Sequence, residues 1–419
     1  MAGNNVMLGN FCFKNNKLTF TDIQYYILVI CYGLIFFPQV FDSSSLTYII
    51  TIISLVIMFI TYLVKNKGII TVKFTYFHFA LLLFLLICFI SSNWSIIPFL
   101  SNRKSIYLFK QMILIFSLYI CYQDFSVNKL LKANMWGCYI FVIALSFCYG
   151  WQNLMYHLLL GARMGNDVLN VNVIGMMGAY AIIINLFFMS SEGFKYSYLI
   201  CLPTIVVVCA TASKKAFAIF ILGIFLLLIY KIKISHNILS TLRKIMFVFS
   251  LFLIFGFFLW NIGLLNPIIT RIFKMYNAFV GLSGSDNSSK TRLKMISIGL
   301  NIFNDNPIWG IGIDNAQIFT YKEYGISNYY LHNNYIELLA DLGIIGFFIY
   351  YWFLIFLLFK FYKYRKINKI ELFICFSLII IHLVMDYGCV TYESRDNYFY
   401  WLIYYKEFKS LTAKEYLIS

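Results

Sequence analysis

The chain has 419 residues, 61% hydrophobic and 12% charged, with a formal net charge of +16 and a mean hydropathy of +0.79. Soluble domains carry roughly 25% charged residues, so a soluble enzyme is excluded. Apolar runs of about 20 residues recur along the length and specify an all-α, polytopic integral membrane protein, because a lone segment in lipid must satisfy its own backbone amides.

In chain order, a polar N-terminus to Phe20 precedes the first apolar run. Lys14 and Lys17 flank that run, which reads as an anchor rather than a cleaved signal. The expected spans are 22–41, 46–64, 74–92, 106–123, 134–150, 171–190, 196–212, 216–232, 245–264, 338–361, 371–386 and 396–406. That makes about 12 transmembrane helices in one integral membrane domain over residues 1–419, the last helix being short. The basic excess lies in short loops: Lys65 and Lys67, Lys129 and Lys132, Lys231 to Lys244, Lys360 to Lys369, and Lys406 onward. Short basic loops face the cytoplasm, which places both termini inside and excludes a nucleic-acid groove as the reason for the charge. Arg103-Lys104 runs against this pattern.

Three features then fall outside: the loop 151–170 with Arg163, the tight connection Ser213-Lys214-Lys215, and a long segment, 265–337, read as an extracytoplasmic loop subdomain before the third-last helix. Loops of that length are usually functional or disordered. Within it, 267–280 is apolar with Arg271 and Lys274, and 281–289 is a flexible linker by composition. Residues 291–304 have helical spacing, with Leu293, Ile296, Leu300 and Phe303 on one stripe. Pro307 to Gly312 forms a turn, and 321–335 is rich in tyrosine. No internal repeat of the transporter kind is present. The ten cysteines mostly lie in apolar segments without a CxxC, and the five histidines are scattered. Neither a disulfide framework nor a metal site is expected, and no cofactor.

His332 is the most informative residue. It stands where the polar segment meets an apolar helix, a position that lets an imidazole exchange protons with a substrate hydroxyl. The same position suits a histidine that only caps or hydrogen bonds there. Asn333 and Asn334 favour a helix N-cap, and a helix N-terminus disfavours the imidazolium, keeping the base neutral. Arg292 offers a planar fork of donors suited to phosphate. Lys214 and Lys215 are costly next to two apolar helices unless a substrate or a water cavity receives them. Glu337 and Asp341, one turn apart, are placed to orient His332 or a sugar. Together with Arg163 and Arg271, these cations fit an anionic lipid-linked substrate with a pyrophosphate leaving group, and tyrosines including Tyr335 offer faces for sugar rings.

Several elements resemble the bacterial O-antigen polymerase and O-antigen ligase superfamily. His332-Asn333, nine residues, then Gly343-x-x-Gly346 is similar to its signature. Arg292 followed by Asn306-Pro307-Ile308-Trp309-Gly310-Ile311-Gly312 resembles the stretch before that signature. Thr211-Ala212-Ser213-Lys214-Lys215-Ala216 resembles its Thr-x-Ser-Arg-x-Ala segment, with lysine at 214 where the family has arginine. Asn172-Val173-Ile174-Gly175 resembles its Asn-x-x-Gly helix start. The resemblance implies metal-independent, inverting glycosyl transfer from an undecaprenyl-pyrophosphate-linked glycan at the periplasmic face of the bacterial inner membrane. His332 and Arg292 would be catalytic. Arg163, Lys214, Lys215, Arg271, Asn333, Tyr335 and Glu337 would bind pyrophosphate or substrate. The expected partners are the lipid-linked glycan, the bilayer and a chain-length regulator protein. The Asn-, Tyr-, Phe- and Ile-rich sequence and the stretch from residues 307–312 to 332–337 resemble a polymerase of repeat units slightly more than a ligase to lipid A core. A lipid-linked oligosaccharide flippase is the reading of another class.

Overall fold

The computed structural model describes residues 19–36, 44–159, 170–235, 287–325 and 330–415, with isolated positions between 237 and 277. The expected span 245–264 falls outside the described residues apart from isolated positions, as do Arg163, Arg271 and the linker 281–286. The described helices are α1 (Phe20–Phe36), α2 (Ser44–Lys65), α3 (Tyr76–Ile90), α4 (Pro98–Cys121), α5 (Val127–Tyr149), α6 (Trp151–Leu159), α7 (Val171–Glu192), α8 (Cys201–Thr211), α9 (Lys214–Lys233), α10 (Asn287–Asp305), α11 (Ala316–Tyr324), α12 (Asn334–Lys363), α13 (Ile370–Met385) and α14 (Arg395–Glu415). No strand occurs among the described residues.

Six described helices are long and apolar enough to cross a membrane: Tyr76–Asn93, Pro98–Cys121, Val127–Tyr149, Val171–Glu192, Lys214–Lys233 and Asn334–Lys363. Shorter apolar helices accompany them at Phe20–Phe36, Ile49–Lys65, Tyr196–Thr211 and Ile370–Met385. The chain is thus an all-helical polytopic membrane protein. The last helix is longer than its expected span 396–406. It packs against α3, α4, α5, α12 and α13, and Tyr398 to Tyr405 are all buried. Its tyrosine hydroxyls lower its hydropathy yet find partners inside: Tyr400 donates to Asn134 Oδ1 at 3.1 Å, and Tyr404 meets His382 Nδ1 at 2.6 Å. Paired polar groups of this kind are tolerated in a buried helix.

The bundle has two chemically different ends. At one, Lys65 pairs with Asp124 at 2.9 Å, Lys132 with Glu192 at 2.7 Å and Lys369 with Glu407 at 2.6 Å. These contacts gather the lysine-rich ends of α2, α5, α7, α13 and α14. At the other, Ile96 N donates to Ile311 O (3.2 Å), joining the approach to α4 to the 306–315 turn, and Asn334 N donates to Asp386 O (2.8 Å), joining the start of α12 to the end of α13. Arg103 and Lys104 lie at this second end but are neutralised. Lys104 Nζ is 3.1 Å from Asp314 Oδ1 and 2.5 Å from Glu393 Oε2, and Arg103 is 3.4 Å from Asp314. Their departure from the basic-loop pattern is therefore one of formal charge only.

Over this second end sits a small satellite core. Met295, Ile302, Ile311, Ala316, Leu331 and Ala340 form it, from α10, α11, the 306–315 turn and the start of α12. The expected stripe on α10 needs correction. Leu300 is 41% exposed, while Met295 and Ile302 are buried. Apolar residues occur on both stripes, and Gly299 selects between them, because a Cβ there would lie 2.3 Å from Ile336 and 2.6 Å from Leu331. The glycine side of the helix is the side on which α12 can approach.

Candidate functional site

The first turns of α12 are fixed at both ends. Asn333 is the N-cap, its side chain accepting from Tyr335 N (3.0 Å) and Ile336 N (3.1 Å). Asn334 is wholly buried and acts between helices. Its Oδ1 accepts from Thr391 N (2.8 Å) and Tyr392 N (3.0 Å), and its Nδ2 donates to Tyr351 OH at 2.7 Å. Asp386 completes this clamp, accepting from Tyr351 OH at 2.7 Å and Thr391 Oγ1 at 2.6 Å. Nine residues on, Gly343 adopts φ 63 and ψ −166 and breaks the helix. The 307–312 turn enters the break: Ile344 N donates to Pro307 O (2.9 Å), and Gly312 N to Asp341 O (2.8 Å). Asp341 pins the same turn by accepting from Asp314 N (2.7 Å) and Ala316 N (2.8 Å).

His332 therefore stands just ahead of a helix segment held by its neighbours. It has φ 59, a left-handed conformation that costs a non-glycine residue energy and persists only where the surroundings enforce it. Glu337 contributes by accepting from Leu331 N at 2.6 Å. The Tyr330 ring lies 4.3 Å from the imidazole, centroid to centroid. The imidazole is pushed down to about 4, first by burial, then by the charges of Arg292 and Lys215. It is neutral at physiological pH.

Arg292 of α10 and Lys215 of α9 are therefore the cations whose charge reaches His332. Lys215 also approaches the loop after α13, where a Cβ at Gly388 would lie 3.8 Å from its Cε. Lys214 opens α9, whose N-cap Ser213 accepts from Ala216 N at 3.4 Å. Ser213 Oγ meets Asn172 Oδ1 at 3.3 Å, bringing the start of α7 to the start of α9. The N-termini of α9 and α12 thus meet the connection between α13 and α14, the N-terminus of α7 meets that of α9, and each favours negative charge.

Tyr335 sits apart from this chemistry. Its hydroxyl donates to Leu383 O at 2.5 Å, and its ring stacks on Tyr351 at 5.0 Å. Asn333 Oδ1, Glu337 Oε2 and both Asp341 carboxylate oxygens accept from backbone amides. The sequence reading gave no weight to Asp314, Asp386 or Glu393, and took Lys104 for a topological anomaly. An acid at the end of an apolar run was the available signal for Asp386. The Lys104 to Glu393 pairing spans 289 positions and has no local signature.

No curated protein matches the chain. Residues 199–351 match the family model described as O-Antigen ligase. The match takes in the 211–216 segment, Arg292 and the His332 signature, and it supports the O-antigen ligase and polymerase superfamily for this chain.

Proposed function

We propose that the chain joins undecaprenyl-pyrophosphate-linked oligosaccharide repeat units into O-antigen or a related surface polysaccharide, at the outer face of the bacterial cytoplasmic membrane. The observation that carries this reading is a neutral imidazole on a clamped helix start with Arg292 and Lys215 acting on it. His332 takes the proton from the acceptor hydroxyl. The oxygen attacks the anomeric carbon from the face opposite the pyrophosphate, the carbon–oxygen bond to pyrophosphate breaks, and the lipid pyrophosphate leaves with the electron pair. The configuration inverts. Arg292, Lys214, Lys215 and the three helix N-termini stabilise charge as it collects on the leaving group. A bound pyrophosphate also offsets the cations that hold His332 down, so donor binding strengthens the base. Residues 265–337 form the extracytoplasmic subdomain in this reading, and a chain-length regulator is the implied partner.

The matched family's description as O-Antigen ligase favours a second reading, transfer of finished glycan to lipid A core. Gene deletion separates the two. Loss of a polymerase leaves cores carrying a single repeat unit; loss of a ligase leaves cores bare and polymer on the carrier. His332→Ala should reproduce the deletion at normal expression, since removal of a general base costs about 10²–10⁴-fold. Normal surface glycan from that variant would rule out the base and favour a carrier that performs no chemistry.

A further inference from the structure

We infer that the cavity behind Tyr330, between α4, α11 and the 390–393 loop, is the subsite for the acceptor sugar adjoining the one that gives its hydroxyl proton to His332, with Glu393 accepting hydrogen bonds from its hydroxyls. The inference rests on the glycosyl-transfer reading above. The cavity measures about 370 Å³, within the ~300–1,000 Å³ of small-ligand sites. Tyr107, Tyr330 and Tyr392 wall it, and Arg103, Lys104, Asp314, Gln317, Glu337 and Glu393 supply polar groups. Tyr330 is the shared wall with the base, its ring 4.3 Å from that of His332. A ligand in this cavity is therefore one ring away from the imidazole.

Charge separates this cavity from the pyrophosphate side. Arg103 and Lys104 are balanced by Asp314 and Glu393, and the remaining lining acid, Glu337, is buried and already accepts from Leu331 N, whereas the ionic groups pressing on His332 are the cations Arg292 and Lys215. A pyrophosphate goes to the cationic side. A balanced set presents fixed donors and acceptors without a net charge, and suits an uncharged polyol flanked by aromatic faces. The set is also held in place before any ligand arrives. Lys104 Nζ spans two carboxylates, and Asp314 is tied through its amide to the buried Asp341. The Glu393 side chain is still 29% exposed, leaving carboxylate surface open to the cavity.

The test uses Val390→Cys, which puts a thiol on the cavity wall, in full-length protein with Cys148, Cys209 and Cys389 replaced by alanine. Membranes containing the cell's own lipid-linked oligosaccharide are treated with methyl or benzyl methanethiosulfonate. Glycan elongation is compared with the same variant before labelling, and binding of geranylgeranyl pyrophosphate reports the pyrophosphate side. Elongation should be largely kept with the methyl adduct and lost with the benzyl adduct, while both adducts bind the pyrophosphate probe like unlabelled protein. Full elongation with the benzyl adduct would overturn the subsite, and so would joint loss of elongation and probe binding. Absence of probe binding in the unlabelled protein would instead sink the glycosyl-transfer reading. Glu393→Gln provides the second arm. It keeps an oxygen for Lys104 but removes a charged acceptor, so elongation should fall about 10-fold at low oligosaccharide supply and recover at high supply. An equal fall at both supplies would make Glu393 a structural clamp and refute its place in the subsite.

Discussion

Gly343→Ala should damage this protein far more than its chemistry suggests. Gly343 has φ 63 and ψ −166, and Gly193, which ends α7 at the opposite end of the bundle, has φ 81 and ψ 173. Both occupy the region that is nearly reserved for glycine, so alanine at either incurs a similar backbone strain of about 1–3 kcal/mol. Their surroundings differ. A Cβ at Gly193 meets nothing within 4 Å, whereas one at Gly343 lies 2.2 Å from Ile308 O and 2.6 Å from Trp309 N. The turn must then leave the break in α12, losing at least the Ile344 to Pro307 and Gly312 to Asp341 hydrogen bonds. At about 1 kcal/mol each, the difference between the two variants is ~2 kcal/mol or more. Thermal unfolding of both purified variants in one detergent measures it. Gly343→Ala should melt clearly below Gly193→Ala and also lose glycan elongation, which Gly193→Ala should keep. Equal melting points, or an active Gly343→Ala, would refute the claim that the 307–312 turn is built into the α12 break.

The pH dependence of elongation should follow from the environment of His332. In kcat/KM, which reports the free enzyme, the acid limb should centre near pH 4, the value to which burial, Arg292 and Lys215 push the imidazole; a limb at about pH 6.5 would mean an ordinary exposed histidine. In kcat the limb should lie at higher pH, because bound pyrophosphate offsets the two cations. The same depression makes folded protein lose stability as pH falls from about 6.5 toward 4, since the unfolded chain takes up that proton first; thermal midpoints across this window in wild type and His332→Gln should converge at neutral pH. Arg292→Lys should lose most activity, a point cation being a poor substitute for a fork on pyrophosphate, and Lys214→Arg should be tolerated; a fully active Arg292→Lys would reduce that residue to general electrostatics. Cysteine placed at the exposed Asn301 should react with an impermeant thiol reagent in intact cells or after outer-membrane permeabilisation, and cysteine at Asn368 only after lysis. The reverse pattern would move His332 to the cytoplasmic side and defeat both the polymerase and the ligase reading.

Hydropathy made the spans legible wherever a helix faces lipid or apolar neighbours, as for α3, α7, α9 and the body of α12. It understated α14, whose tyrosines read as polar although Tyr400 and Tyr404 are paired inside the bundle. The N-cap before α12 was legible because capping is local: Asn333 needs only the amides that follow it. The second asparagine was not, because Asn334 acts on Thr391 and Tyr392, more than 50 positions away. His332 and Arg292 were found by residue type and by motif order. The Arg103, Lys104, Asp314 and Glu393 set was missed for a physical reason: each member alone is an ordinary loop or helix-end charge, and their neutrality exists only after α4, the 306–315 turn and the α13–α14 connection have packed together.

The fixed spacing of the His332 signature has a mechanical explanation in this fold. From Asn334 to Leu342 the chain makes about two and a half helical turns, roughly 14 Å of rise. Its start is tied to the α13–α14 connection through Asn334 and Asp386, and its end to the 307–312 turn through Gly343 and Asp341. With both ends anchored to backbone, the number of residues between them fixes the direction in which the segment starts, and so where residue 332 emerges. One residue more or fewer would rotate one anchor by about 100° relative to the other. The two anchors also bring in the two sides of the site. The α13–α14 connection approaches Lys215 at Gly388, and the turn brings Asp314 to Lys104. A single short helix segment thereby sets the imidazole against both the cationic side and the neutral cavity. The histidine, the cap and the glycine break therefore act as one mechanical unit in this fold.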